Sequence, residues 1–107
     1  MEYSTITPAE LLAKRAGGES VTLIDVREPV EFEIAQVEDS LQLPMSRINE
    51  WLGQLDPNDQ FAILCHHGVR SASVCAYLVH TGFKNVANVA GGIDRWSAEI
   101  DPAIPRY

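Results

Sequence analysis

With 107 residues, 46% of them apolar and 21% charged, the chain has the make-up of one soluble globular domain over 1–107, with room for a single core. Two cysteines exclude a disulfide-stapled mini-protein, no paired Cys/His spacing marks a structural zinc, and no apolar run approaches the roughly 18–20 residues of a membrane span. Fifteen acids against eight bases, a net charge of −7, argue against nucleic acid as the main partner. The opening Met1-Glu2-Tyr3-Ser4 lacks the basic and apolar regions of a signal peptide, so the expected setting is cytoplasmic and reducing, with Cys65 and Cys75 as thiols.

In chain order, Thr7-Pro8-Ala9-Glu10 reads as a helix start, with Thr7 as cap, Pro8 at the first helical position and Glu10 completing a capping box. Leu11 and Leu12 give that helix a buried face, and Gly17-Gly18 ends it. The β-branched run Val21 to Val26 has the pattern of a buried parallel strand. Glu28-Pro29 opens a short helix to about Ala35, and Leu41-Gln42-Leu43 forms a short strand stopped by Pro44. Ser46 is expected to cap a helix carrying Ile48, Trp51, Leu52 and Leu55, followed by a turn over Asp56-Pro57-Asn58-Asp59.

Phe61-Ala62-Ile63-Leu64 is a second buried strand and runs directly into Cys65. Beyond Gly68, a helix is expected from Arg70 to Thr81, ended by Gly82. Then come a strand over Val86 to Val89, a tight turn at Gly91-Gly92 and a last helix from Ile93 to about Ile100. The segment 101–107, with Pro102 and Pro105, is not helical and is expected to lie over the surface. Strands alternating with helices imply an α/β fold with a mainly parallel sheet, in which ligands sit beyond the carboxyl ends of the strands.

Charge is spread unevenly along this frame. From Phe61 to Ala98 there are three bases (Arg70, Lys84 and Arg95) and one acid, Asp94. From Glu28 to Asp39 there are five acids and no base, a run read as a solvated acidic surface. The basic stretch holds Cys65-His66-His67-Gly68-Val69-Arg70-Ser71. A thiol between a strand and a helix start faces backbone N–H groups and the positive end of a helix dipole, which favour the reactive thiolate. Gly68 gives the loop conformational freedom, and Arg70 offers a planar fork to an oxyanion. Nucleophile and guanidinium within six residues suit a small anionic electrophile, with Cys65 partly exposed to meet it.

These residues carry a resemblance. Cys65-x-x-Gly68-x-Arg70-Ser71 resembles the active-site loop of rhodanese-like sulfurtransferases. The stretch Leu23 to Phe32, containing Asp25-Val26-Arg27-Glu28-Pro29-Val30-Glu31-Phe32, resembles the family's D-V-R-E-P-x-E-F segment. Gly82-Phe83-x-Asn85-Val86 through Ala90-Gly91-Gly92-Ile93-x-x-Trp96 resembles its closing segment. The resemblance implies a single rhodanese-like domain with a five-stranded sheet and helices on both faces. It also implies that Cys65 takes a sulfane sulfur from a donor such as thiosulfate as a persulfide and passes it to a thiophilic acceptor, cyanide in an assay. Ala35-Gln36 replaces the Gly-His pair often found before the third strand.

The loop has four residues between Cys65 and Arg70, where Cys-based phosphatases and one class of arsenate reductases have five, which disfavours those activities. A sulfur-carrier or sensor module serving a protein partner stands as an alternative to an enzyme. Catalysis is assigned to Cys65, and substrate binding to Arg70, His66, His67, Gly68, Val69 and Ser71. His66 and His67 either tune the thiolate, help bind the anion or fill solvated loop positions. Ser71 either bonds to the sulfur or caps the helix. Asp25 and Arg27 either support the loop as an ion pair, the favoured role, or shape access. Cys75 lies on an apolar helical stripe with Ala72 and Val79 and is assigned to the core. No cofactor and no metal are expected, because adjacent residues rarely converge on one tetrahedral ion. The expected partners are a small anionic sulfur donor and a protein or low-molecular-weight thiol acceptor, with no nucleic acid and no membrane, and the chain is expected to be a monomer.

Overall fold

A computed structural model describes residues 2–107, so Met1, the first residue of the opening tetrapeptide, lies outside it. Five strands form one sheet in the order β1-β5-β4-β2-β3, with every pairing parallel. They are β1 (Ser4–Ile6), β2 (Val21–Asp25), β3 (Ser40–Gln42), β4 (Gln60–Leu64) and β5 (Asn85–Val89). The helices are α1 (Pro8–Ala16), α2 (Pro29–Ile34), α3 (Ile48–Trp51), α4 (Val69–His80) and α5 (Gly92–Glu99). Among the described residues no helix is long and apolar enough to cross a membrane.

Alternation along the central strands builds a core on each face of the sheet. On β4, Ala62 and Leu64 point to one face, where Leu11 of α1 and Ile93 and Trp96 of α5 pack. Phe61 and Ile63 point to the other, against Trp51 of α3 and Val74, Cys75 and Leu78 of α4. Both faces of β4 are dry, which is why its sequence is continuously apolar. The helices thus lie on both faces, as the α/β reading requires. Thr7 caps α1 as expected: its Oγ1 accepts from the Glu10 N–H at 3.1 Å while Glu10 Oε1 accepts from the Thr7 N–H at 2.8 Å.

The sheet has the five strands expected, one of them at a place the sequence reading does not mark, and two expectations are corrected. The fifth strand, β1, pairs with β5 at the sheet edge through Ser4↔Ala87 to Ile6↔Val89, and its three residues are too few for a periodic signal. Ser46 caps nothing. Its hydroxyl donates to Glu28 Oε1 at 2.5 Å, and the segment is broken into a 3-10 turn (Met45–Arg47), the single turn α3 and a second 3-10 turn (Leu52–Gln54). Asn49 and Gly53 weaken a regular helix there, and the segment is held instead by buried Trp51, whose Nε1–H donates to Pro44 O at 2.9 Å. Finally, residues 101–107 are pinned at two points. Ile104 packs with Trp96 in the core, with its carbonyl accepting from the Ser97 hydroxyl at 2.5 Å, and Tyr107 reaches the site described next.

Candidate functional site

The register of the sheet decides what meets at its carboxyl end. Asp25 pairs with Leu64, so β2 and β4 finish together, and Ile63 pairs with Asn88, so β5 places Asn88 beside the strand that delivers Cys65. The loop from Cys65 to Gly68 then turns into α4. Gly68, at φ +106°, takes a left-handed conformation that side-chain residues rarely adopt. The Cys65 and His66 carbonyls are fixed from behind, accepting from the N–H groups of Ile93 at 2.8 Å and Asp94 at 3.1 Å at the start of α5. That close approach needs Gly92: a Cβ there would overlap His66 O and stand 2.5 Å from Cys65 O.

Cys65 Sγ accepts from the Gly68 N–H at 3.0 Å and lies 3.2 Å from Ser71 Oγ. Its expected partial exposure is corrected: the residue is 1% exposed, with the 65–68 loop folded so that the Gly68 N–H reaches the sulfur and the Cys65 carbonyl held by the Ile93 N–H. Ser71 is buried, and its hydroxyl donates to Asn88 Oδ1 at 2.5 Å, while Asn88 Nδ2–H donates to Gly68 O at 3.1 Å. Of the two roles left open for Ser71, contact with the sulfur is the one observed; no side-chain cap is present at the start of α4. Val69, assigned to substrate binding, is 76% exposed on the first turn of α4.

On the opposite side of the loop, Arg70 does not stand free. Its two terminal nitrogens donate to Glu31 Oε1 at 2.6 Å and Oε2 at 2.8 Å, so an acid from the supposedly solvated run neutralises the cation of the basic stretch. Two of the five guanidinium N–H bonds are used, leaving three for an anion. Glu31 also accepts from the Tyr107 hydroxyl at 2.6 Å and through Oε1 from the Glu28 N–H at 3.2 Å. The Arg70 guanidinium, helped by Tyr107, holds the Glu31 carboxyl down at about 2, and Glu31 in turn pushes Arg70 above its ordinary value. Tyr107 is itself pushed up, first by burial and then by its bond to Glu31.

Asp25 and Arg27 form a fully buried ion pair, with Arg27 donating from Nε to Oδ1 at 3.0 Å and from Nη2 to Oδ2 at 2.7 Å. The remaining guanidinium N–H bonds go to Ala35 O, Glu31 O and Tyr107 Oη, so all five donors of a buried cation are satisfied. The pair sits at the carboxyl end of β2, the strand beside the one that delivers the thiol, and ties it to α2 and Tyr107. The histidines divide. His66 stacks on the Tyr107 ring, centroids 3.8 Å apart at 5°, and its buried Nε2 has no hydrogen-bond partner among the described residues. His67 is exposed and lies 3.9 Å from Asp94 Oδ2. His66, His67 and Asp94 each place a ligand-type atom within 4.8 Å of the others, but both Asp94 oxygens are held by Arg106 at 3.0 Å.

Glu31, Asn88 and Tyr107 are the site residues that sequence reasoning does not single out. One signal was present for Asn88, an amide in the middle of a short strand, where Asn is depleted. Cys75 is where the stripe puts it, buried on α4 with its thiol pushed up to about 12 by burial and by the charge on Cys65.

A family model described as "Rhodanese-like domain" matches residues 7–99. The chain is 40% identical over 107 residues to the "Probable adenylyltransferase/sulfurtransferase MoeZ" of Mycobacterium tuberculosis, covering 97% of this chain but only 27% of that protein. It is 36% identical over 95 residues to the "Thiosulfate sulfurtransferase GlpE" of Pseudomonas syringae, covering 89% of this chain and 88% of that one. The crystal structure of a rhodanese-related protein from Thermoplasma volcanium superposes with a TM-score of 0.82 at 31% identity, covering 98% of this chain and all of that one.

Proposed function

This chain belongs to the rhodanese-like domain family, and from that premise we propose that it is a sulfurtransferase working through a persulfide on Cys65. The observation that carries the reading is the sulfur's setting: Sγ sits at the end of a central strand, at the N-terminus of the twelve-residue α4, with the Gly68 N–H 3.0 Å away. Backbone donors and the helix dipole there favour negative charge on sulfur.

In the first half-reaction the Cys65 thiolate attacks the outer sulfur of a donor such as thiosulfate. A sulfur–sulfur bond forms at Sγ, the bond between the outer sulfur and the sulfonate breaks, and sulfite leaves with its electron pair. In the second, a thiophile, either a thiol or cyanide, attacks the terminal sulfur of the persulfide. The bond to Sγ breaks, and the electron pair returns to Cys65 as thiolate. Atoms and electrons balance across the two steps without a resident cofactor or metal. Gly68 donates to the sulfur, Arg70 offers its three unused N–H bonds to the sulfonate, and Ser71 bonds to Sγ. Because Cys65 is 1% exposed, the donor reaches Sγ only as the 65–68 loop moves aside. The physiological acceptor is proposed to be a thiol, of a small molecule or a protein, in a cytoplasmic setting.

Steady-state turnover tests the reading. Wild-type chain supplied with thiosulfate and cyanide should release sulfite and thiocyanate in equal amounts, and Cys65→Ser should release neither. Equal turnover by both chains would remove the assignment.

A further inference from the structure

We infer that Asn88 is a positioning residue for the reacting thiol, acting by competing with Cys65 for the single hydroxyl proton of Ser71. The inference deepens the proposed function and rests on Cys65 being its nucleophile.

Gly68 O can only accept, so the Asn88 amide must turn its NH2 toward that carbonyl, 3.1 Å away, and its Oδ1 toward Ser71. Oδ1 can only accept, so the hydroxyl proton of Ser71 points at Asn88 across 2.5 Å. Ser71 Oγ then presents lone pairs to the sulfur at 3.2 Å, which suits a thiol that donates its S–H. It does not suit a thiolate. On ionisation the hydroxyl must swing from Oδ1 to Sγ, leaving the amide oxygen of a part-buried residue without that donor. When the sulfur loses its charge, as it does on forming a bond to another sulfur, the proton is free to return. Ser71 is therefore a two-position hydrogen bond, and Asn88 sets how readily it leaves the resting position.

Around Sγ, the titratable and charged groups among the described residues are Arg70 and Cys75 of α4, His66 and His67 in the loop and, behind Arg70, Glu31 of α2 with the Tyr107 hydroxyl on it. β5 supplies only the neutral Asn88. Changes at Ser71 and Asn88 therefore leave the charged surroundings in place.

The test is the pH profile of Cys65 alkylation by iodoacetamide, a neutral reagent whose rate reads the thiolate whether or not sulfur transfer is its use. Asn88→Ala removes the competitor, and the midpoint should fall by about 0.5–1 pH unit, the size of one hydrogen bond. Ser71→Ala removes the hydroxyl at Sγ and should raise it by a similar amount. In the Ser71→Ala background, Asn88→Ala should then move nothing. Asn88→Asp keeps an acceptor on Ser71 and adds a charge, so its midpoint should rise.

A role limited to holding Gly68 O predicts the same direction for Ala and Asp, since both lose Nδ2. That result, or an undiminished shift from Asn88→Ala in the Ser71→Ala background, would overturn the inference. If Asn88→Ala does not fold, Ser71→Ala alone decides: an unmoved midpoint overturns it. Loss of turnover with the alkylation shifts intact would count against the proposed reaction and not against Asn88.

Discussion

The chain has two cysteines, both buried and ten residues apart, and their surroundings are opposite. Cys65 ends β4 with an N–H donor and a hydroxyl on its sulfur, the start of α4 in front of it and Arg70 nearby. Cys75 lies two turns into the same helix among Ile63, Val74 and Leu78, in an apolar cluster that Cys65 also borders, and burial, then the charge on Cys65, push its thiol up to about 12. Burial alone therefore does not separate a reactive cysteine from an inert one. The difference lies in which polar groups are buried with the sulfur.

The most sensitive way to break that comparison is alkylation of the wild-type chain. At pH 8 iodoacetamide should modify Cys65 at least about a hundredfold faster than Cys75, because the attacking species is the thiolate and Cys75 holds its proton. Comparable labelling of the two, read by peptide mass, would erase the distinction. Arg70→Lys is the next largest effect. It retains charge but cannot reproduce the fork, so kcat/KM for thiosulfate should drop about 10–100-fold with the thermal midpoint nearly unchanged. An unchanged KM would make Arg70 a partner of Glu31 only.

Cys75→Ser should keep turnover and lose about 1–3 kcal/mol of stability, since a hydroxyl is buried where a thiol was. Denaturant titration reads it, and a stability loss accompanied by lost turnover would tie Cys75 to the site. Glu31→Gln is the smallest, about 1 kcal/mol at neutral pH for a partly exposed pair. The sign follows from the carboxyl being held at about 2 against an ordinary 4.5. A depressed acid stabilises the fold fully above the unfolded value, and that contribution fades as pH falls from about 4.5 toward 2. Wild-type and variant stabilities should therefore converge across that window; a gap that stays constant would show that the ion pair is not its source.

How much of this was legible in the sequence follows the range of the interactions. The buried strands, the capping box at Thr7 and the Cys65-to-Ser71 loop are written in neighbouring residues, and the structure places them as read. Asp25 and Arg27, two apart, form the ion pair that their spacing suggests. The partners that complete the site come from far along the chain: Asn88 is 17 residues from Ser71, Glu31 is 39 from Arg70 and Tyr107 is 76 from Glu31. No local spacing encodes those meetings; they depend on sheet register and on where residues 101–107 cross. The same range dependence explains Ser46, which has the local look of a cap but gives its hydroxyl to Glu28, 18 residues back. It also explains the misjudged exposure of Cys65, since the loop that covers the sulfur is held down by α5.

The most direct test of the account is the mass of the intact chain after thiosulfate treatment and removal of excess donor, in wild-type, Cys65→Ser and Cys75→Ser forms. The account predicts that wild-type and Cys75→Ser each gain the mass of one sulfur atom, that cyanide removes it from both, and that Cys65→Ser gains nothing. A cyanide-labile sulfur on Cys65→Ser would contradict it.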